Sequence, residues 1–415
     1  MTESFLLKIS KTLFSKYQSK LSELVIIFPS RRSSSFFFEE LSKLIESPIW
    51  LPSTYSIDDY FFQINDLKRI NSFQLFLLFY KNYKKHTPNP HSIDRCYKWA
   101  PTLLNNLDEI DQSLVNNKEI FSYLSDIKRI ENWYLDINSN NKNIEDYVGF
   151  FSSIPKVYNA LRTELLDNKL AYSGLAQRLI AENPTILFDR LAKEKKHKII
   201  FIGLDSLTIS QEKVVGGLLQ KNMCDIFWDA DRYFVENLIQ ESGSFLRKYK
   251  KKWPHAFTSI NNDFLNIPKQ IDIIGATKNI NQCKLLGNIL RDKKYSSSQL
   301  KRVAIILPNE ELLMSVLESI PKEINDINIT MGYTLFHHPV ASVFRDILSL
   351  YINTRRIIQG NNTLSKNYSK KDCLQLFKNP YFNKIIQFNL RAFFCNTYKN
   401  TVCKSRIKPA NINSA

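Results

Sequence analysis

Apolar residues fall into two kinds of spacing along this chain. Phe5, Ile9, Leu13, Tyr17 and Leu21 recur every four positions and predict an amphipathic helix over 4–21. Directly after it, Leu24-Val25-Ile26-Ile27-Phe28 is a continuous apolar run, the pattern of a parallel strand covered on both faces. Pro29-Ser30 closes that run before a predicted helix over 32–46. From about 56 to 190 the strand signal fades and helical spacing dominates, as in Phe73, Leu77 and Tyr80, then Leu103, Leu104, Leu107, Ile110 and Leu114. The Asn-rich stretch 136–143 has no periodicity and reads as an exposed loop. Strand pattern resumes at 198–203 and 224–229, with a helix over 210–221 between them.

The segment Lys248-Tyr249-Lys250-Lys251-Lys252-Trp253-Pro254-His255 through Pro268 is charged and punctuated by proline, so it reads as a linker. A second βαβαβα alternation follows: strands at 271–274, 303–307 and 327–330, helices over 279–292, 309–319 and 340–354. The expected fold class is α/β, with two parallel-sheet units and a large helical insertion in the first. The expected boundaries are 1–55 plus 191–247 for the first sheet domain, 56–190 for the insertion and 248–268 for the linker. The second sheet domain takes 269–355, and a helical region with a basic tail takes 356–415. The length of 415 residues agrees with more than one core, since single cores stop growing near about 250–300 residues.

Composition narrows the class. A 44% hydrophobic and 13% aromatic content excludes a disordered chain. No apolar run approaches the roughly 18 residues of a spanning helix, so no membrane association is expected. Met1 to Lys8 lacks a basic start followed by an apolar stretch, which leaves the cytoplasm as the expected location. Six cysteines without a C-x-x-C pair, and six scattered histidines, predict packing thiols and no metal spacing; His337-His338 precedes Pro339, where neighbouring side chains diverge. The net charge of +17 points to a polyanion, although a chain rich in Lys, Asn, Ile and Phe acquires such charge from an A/T-rich genome too. Between Arg355 and Ala415 there are twelve Lys/Arg and one acid, Asp372, so the excess is concentrated at that end.

Acidic residues end two of the predicted strands: Gly203-Leu204-Asp205, and Asp229-Ala230-Asp231-Arg232-Tyr233 after Trp228. This resembles an NTPase, where such carboxylates hold Mg²⁺ on a phosphate. The partner element is a loop G-x-x-x-x-G-K-[ST], whose backbone N–H groups cradle phosphate, and none of the ten glycines is followed by Lys. The bland reading of Asp205, Asp229 and Asp231 is helix N-capping or loop hydrogen bonding. The acidic groups Asp108-Glu109-Ile110-Asp111 and Glu39-Glu40 lie on predicted helices and read as solvated faces.

Four segments occur in a telling order: Phe28-Pro29-Ser30-Arg31-Arg32 with Phe36-Phe37, Thr54-Tyr55-Ser56-Ile57-Asp58-Asp59-Tyr60, Phe227 to Tyr233, and Ile329-Thr330-Met331-Gly332-Tyr333-Thr334-Leu335. Together, over about residues 5–383, they resemble the AddB-like subunits of bacterial helicase-nucleases, PD-(D/E)xK nuclease family proteins whose N-terminal half is a degenerate UvrD-like helicase. The resemblance implies two RecA-like domains with helical insertions, then a nuclease domain, before which this chain stops; the ending 397–415 reads as an aberrant or truncated terminus. It implies Mg²⁺ only in that nuclease region, so no cofactor is expected here. The implied partners are DNA, as single strands or duplex ends, and an ATP-driven helicase-nuclease subunit, in recombinational double-strand-break repair. Against the motor pattern the chain departs throughout: Gly203-Leu204-Asp205 replaces the Asp-Glu pair, Arg232 stands at the γ-phosphate sensor position, and Leu307-Pro308-Asn309-Glu310 lacks the expected arginine.

Binding remains. Ser30, Arg31 and Arg32 end the first strand, where the resemblance implies a single-strand-contacting loop and guanidinium groups can fork a phosphate; ordinary solvation at a helix start explains them nearly as well. Gly332 permits close backbone approach and Tyr333 offers a stacking face; a plain turn explains them nearly as well. Lys248, Lys250, Lys251 and Lys252 with Tyr249 and Trp253 form a basic-aromatic patch of the kind that binds nucleic acid, yet charge runs are more often solvated linkers. The leading expectation is a non-catalytic, helicase-like DNA-binding scaffold. The alternative is a metal-dependent nucleotide-sugar or phosphoryl-transfer enzyme using Asp229-x-Asp231.

Overall fold

The computed structural model describes residues 3–117, 119–121, 123, 142–194, 196–257, 260–293, 295–360 and 369–382. The chain divides into two compact units, Met1–Lys269 and Gln270–Ala415. The expectations for 136–141, for the basic tail beyond 382 and for Cys395 and Cys403 lie outside the described residues.

The first unit is α/β, built on a four-stranded sheet in the order β2-β1-β5-β6, with every pairing parallel. Its strands are β1 (Leu24–Phe28), β2 (Ser53–Ser56), β5 (Lys198–Ile202) and β6 (Cys224–Phe227). Register runs from Leu24↔Lys198 to Ile27↔Phe201 between β1 and β5, and from Val25↔Ser53 to Phe28↔Ser56 between β1 and β2. Alternation along the central strands feeds two cores. Leu24, Ile26, Phe28, Ile200 and Ile202 pack with Ile9 and Leu13 of α1 (Phe5–Tyr17) and with Phe37 and Leu41 of α2 (Arg31–Ser42). Val25, Ile27, Ile199 and Phe201 face a larger core shared with the helical insertion.

That insertion contains α3 (Ile57–Ile64), α4 (Ser72–His86), α5 (Ile93–Tyr97), α6 (Ala100–Gln112), α7 (Lys142–Asp167), α8 (Ser173–Glu182) and α9 (Thr185–Lys193), with a two-residue ladder of β3 (Lys68–Arg69) and β4 (Leu170–Ala171). After β5, α10 (Ile209–Gln220) starts at a Thr208–Gln211 capping box and leads to β6. Helix α2 covers one face and α10 the other, so the two connections leave β1 and β5 in opposite directions across the sheet.

Strand β2 carries no apolar run. Its Ser-Thr-Tyr-Ser sequence suits a half-exposed edge strand, which is why hydrophobic patterning alone passes over it. A second difference concerns the predicted linker at 248–268, which belongs to the first unit. Helix α12 (Ser244–Lys252) buries Leu246 and Tyr249, with Trp253 just beyond it. Phe257, Trp228, Tyr249 and Trp253 form a continuous stack, with successive centroids 5.1, 5.3 and 5.5 Å apart. The apolar spacing 246, 249, 253 is helical, and the intervening lysines mask it.

The acidic group on α6 is solvated only in part: Glu109 is exposed, whereas Asp108 and Asp111 turn inward. Asp111 is fully buried, accepting hydrogen bonds from Tyr158 Oη at 2.6 Å, Tyr172 Oη at 2.5 Å and Arg178 Nη1 at 3.1 Å. Asp108 Oδ1 accepts from Gly174 N at 2.6 Å. Helices α6 and α8 touch there: a Cβ at Gly174 would lie 2.2 Å from the Asp108 carbonyl oxygen, closer than any side chain tolerates.

In the second unit, α13 (Asn279–Lys293) packs on α14 (Leu313–Ser319), burying Cys283, Leu290, Leu313 and Val316. Val343 of α15 (Pro339–Gly360) packs with Leu376 of α16 (Lys370–Lys378) and with Phe382, and Asp346 accepts from Gln375 and Asn379. The three predicted strands of this unit form no ladder among the described residues. Ile273 is 95% exposed and Ile306 85%. A parallel sheet needs cover on both faces, and the described helices leave these segments uncovered. No helix among the described residues is long and apolar enough to cross a membrane.

Two substitutions test the packing of the insertion by urea denaturation. Removing Asp111 leaves Arg178 and two buried hydroxyls short of their acceptor, so Asp111→Ala should cost about 3–5 kcal/mol. Gly174→Ala should cost about 1–3 kcal/mol, because the α6–α8 contact must open to admit a methyl group.

Candidate nucleic-acid interface at the carboxyl edge of the sheet

Ligands of open parallel sheets sit beyond the carboxyl ends of the strands where chain direction across the sheet reverses. Here that point lies between β1 and β5. It is bounded by Pro29-Ser30 with the first turn of α2 on one side and by Gly203 to Leu207 on the other. Gly203 has φ +68°, a left-handed conformation that turns the chain off β5 while its N–H donates to the Phe227 carbonyl at 2.9 Å.

Ser30 occupies the N-cap position of α2 without a capping side-chain bond; its hydroxyl lies 3.1 Å from that of Ser33. Arg31 is 82% exposed along its side chain but is not free. Its Nε and Nη2 donate to the two oxygens of Asp59 at 2.5 and 2.9 Å, a bidentate fork. Asp59 also accepts from Ser56 Oγ at 2.5 Å. The Arg31 hydrogen bond holds the Asp59 carboxyl below the usual carboxylate range, with burial opposing it. A cavity of about 480 Å³ opens beside this pair, lined by Arg31, Ser34, Tyr55, Ser56 and Asp59 among others. Arg32 lies over the Phe36 ring at 5.9 Å and keeps its guanidinium exposed.

The acidic residues do not converge. Asp205 Oδ1 accepts from the neighbouring Ser206 N–H at 3.1 Å. Both oxygens of Asp231 accept backbone N–H groups, from Tyr233 and from Phe264, each at 2.9 Å, so this residue caps α11 (Arg232–Glu236) and ties it to the segment at 264. Burial pushes the Asp229 carboxyl up, with Lys8 opposing and Asp231 and Asp263 adding to the rise, while the residue keeps solvent access. Arg232 pairs with Glu236 at 3.0 Å on the same helix. Among the described residues no group of three or more His, Cys, Asp or Glu is placed to hold a metal ion.

In the second unit, Gly332 is exposed with open space around it, and the Tyr333 ring meets His338 edge-on at 6.3 Å. The basic-aromatic run at 248–253 takes a different role from the solvated linker expected of it. Tyr249 and Trp253 are core residues, and Lys248 and Lys252 both bind the buried carboxylate of Glu212. Cys96 and Cys224 are buried free thiols, each pushed up to about 12 by burial, as packing residues are.

Sequence reasoning missed Asp59 as the partner of Arg31. The signal was present: Ser56-Ile57-Asp58-Asp59 reads as an N-cap with acids in the first turn, directly after an extended segment. No family model matches this chain, and no curated protein matches it.

The acid limb of stability should report the Arg31–Asp59 fork. Its carboxylate is depressed in the folded state, so its contribution is complete above the unfolded value of about 3.9 and is lost as pH falls through the folded value. We therefore expect Asp59→Asn to melt below the wild type at neutral pH. The two melting curves should merge once the solution is acid enough to protonate Asp59 in the folded protein.

Proposed function

We propose that this chain is a non-catalytic, helicase-like DNA-binding scaffold. Its first unit plays the part of a RecA-like domain and its second unit that of a counterpart in which the unpaired extended segments 271–274, 303–307 and 327–330 stand in for strands. The observation that carries this reading is the content of the switch point. The crevice where a motor would cradle nucleotide presents Ser30, Arg31 and Arg32, while Asp231 is committed to backbone caps. Two arginines at the first turn of a helix suit the phosphates of a strand passing across the strand ends. The net charge of +17 favours the same class of ligand.

The relationship to AddB-like subunits, with an ATP-driven helicase-nuclease as partner, remains part of this proposal and rests on the four ordered motifs. Asp59 gives the interface a built-in competitor: a phosphate must exchange with a carboxylate already seated on Arg31. Anisotropy titrations of labelled single-stranded DNA at several salt concentrations test the reading. Arg31→Ala with Arg32→Ala should weaken binding and lower the slope of log affinity against log salt by about 1–2. Asp59→Asn should tighten binding by releasing Arg31. Robust ATP turnover abolished by Asp205→Ala or Asp229→Ala would overturn the proposal, as would DNA binding indifferent to both arginines.

A further inference from the structure

The helical insertion holds a cleft of about 1140 Å³ that belongs to neither the sheet edge nor the aromatic stack under α12. Its walls come from the end of α4, the α4–α5 connection, α5, the start of α6 and the middle of α7. Tyr83, Trp99, Phe150 and Phe151 form the aromatic side. Trp99 meets Tyr83 and Phe150 edge-on at 5.4 and 5.0 Å, and Phe150 meets Phe151 at 5.1 Å. Tyr83 is buried, whereas Trp99, Phe150 and Phe151 keep part of their surface open.

The geometry is held by hydrogen bonds. Tyr83 Oη accepts from the His91 N–H at 3.2 Å and lies 3.2 Å from His91 Nδ1; the Thr87 and Ser153 hydroxyls are 2.8 Å apart across the cleft wall. At the rim stand Arg95 and Lys98, both exposed. Neither side chain has an ion-pair partner among the described residues, whereas Lys81, Arg162 and Arg178 in the same helical layer each hold a Glu or Asp. Among the described residues no Asp or Glu lines the cleft. Open aromatic surface beside uncompensated cations, with carboxylates excluded, selects a flat π-system joined to an anion.

We infer that this cleft binds a nucleotide unit, its base against the Trp99–Phe150–Phe151 wall and its phosphate at Arg95 and Lys98. The volume exceeds the range of about 300–1,000 Å³ usual for small-molecule pockets, which suits a segment of single strand entering and leaving. The same chemistry would take a free nucleotide. The site does not depend on the switch-point arginines, so it goes beyond the function proposed above and can stand or fall separately.

The test is titration of the whole chain with a short thymidine oligonucleotide, and separately with thymidine monophosphate, following tryptophan fluorescence. A base stacked on Trp99 should quench its emission, and Trp99→Phe, which preserves an aromatic wall, should remove most of that quench. Arg95→Ala with Lys98→Ala, two exposed positions, should weaken the quenching titration about tenfold, in the range a lost base or phosphate contact produces. Quenching by the oligonucleotide alone assigns the cleft to a strand, and quenching by both assigns it to the nucleotide unit in either form. Quenching by the monophosphate without strand binding keeps the cleft as a nucleotide site and removes the DNA-scaffold reading. A quench that survives both Trp99→Phe and the Arg95/Lys98 double substitution, or no quench by either ligand, overturns the inference. Photocrosslinking of an iodouracil-bearing strand gives an independent readout, with adducts expected on Trp99 or Phe150.

Discussion

The first unit depends on β1 being paired along both edges and covered on both faces. All five of its residues are buried, and they enter two separate cores by alternation. Each such apolar side chain contributes about 1.5–3 kcal/mol on leaving water, so the strand is the densest source of stability in the sheet. Because side chains alternate strictly, a slip of one residue would exchange the two cores and bring every neighbour with it. The carboxyl ends of β1 and β5 are therefore held in one register, and the switch-point crevice inherits that order.

Charge has a second, less visible role in this molecule. The formal excess of +17 suggests a surface of free cations, yet several basic groups are bound within the fold. Arg178 holds the buried Asp111, Lys248 and Lys252 hold the buried Glu212, and Arg31 holds Asp59. Burying a lone carboxylate is costly, and each of these acids is seated only because a cation or a set of hydroxyls reaches it. Net charge thus overstates the cations available to a ligand. What distinguishes Arg32, Arg95 and Lys98 is position: Arg32 beside the sheet edge and the other two at the rim of an aromatic cleft lined by no carboxylate among the described residues.

Much of the first unit was legible in the chain. Continuous apolar runs announced β1 and β5 and the shorter Ile226-Phe227-Trp228 announced β6, while the helices expected over 32–46 and 210–221 lie at Arg31–Ser42 and Ile209–Gln220. Strand β2 was not legible, because an edge strand with one half-covered side needs no apolar run. The α12 segment was misread because lysines interrupt Leu246, Tyr249 and Trp253, and only their stack on Trp228 reveals the apolar side. At the candidate interface, Ser30, Arg31 and Arg32 were visible at the strand end. The Arg31–Asp59 fork was not, since it joins residues 28 positions apart. The aromatic cleft was equally hidden: its walls come from α4, α5, α6 and α7, which no local pattern connects.

What the amino-acid order determined by itself was which segments must leave water and with what period, because burial acts on neighbouring residues through strand and helix geometry. Tertiary structure decided which of those segments found partners. Ile273 and Ile306 carry the same kind of run as Ile26 and Ile200, but the former stay exposed while the latter are buried, since a parallel strand is stabilised only when distant chain supplies both its ladders and its covers. It also decided which charges remained free, because an ion pair is set by separation in space and sequence separation says nothing about it.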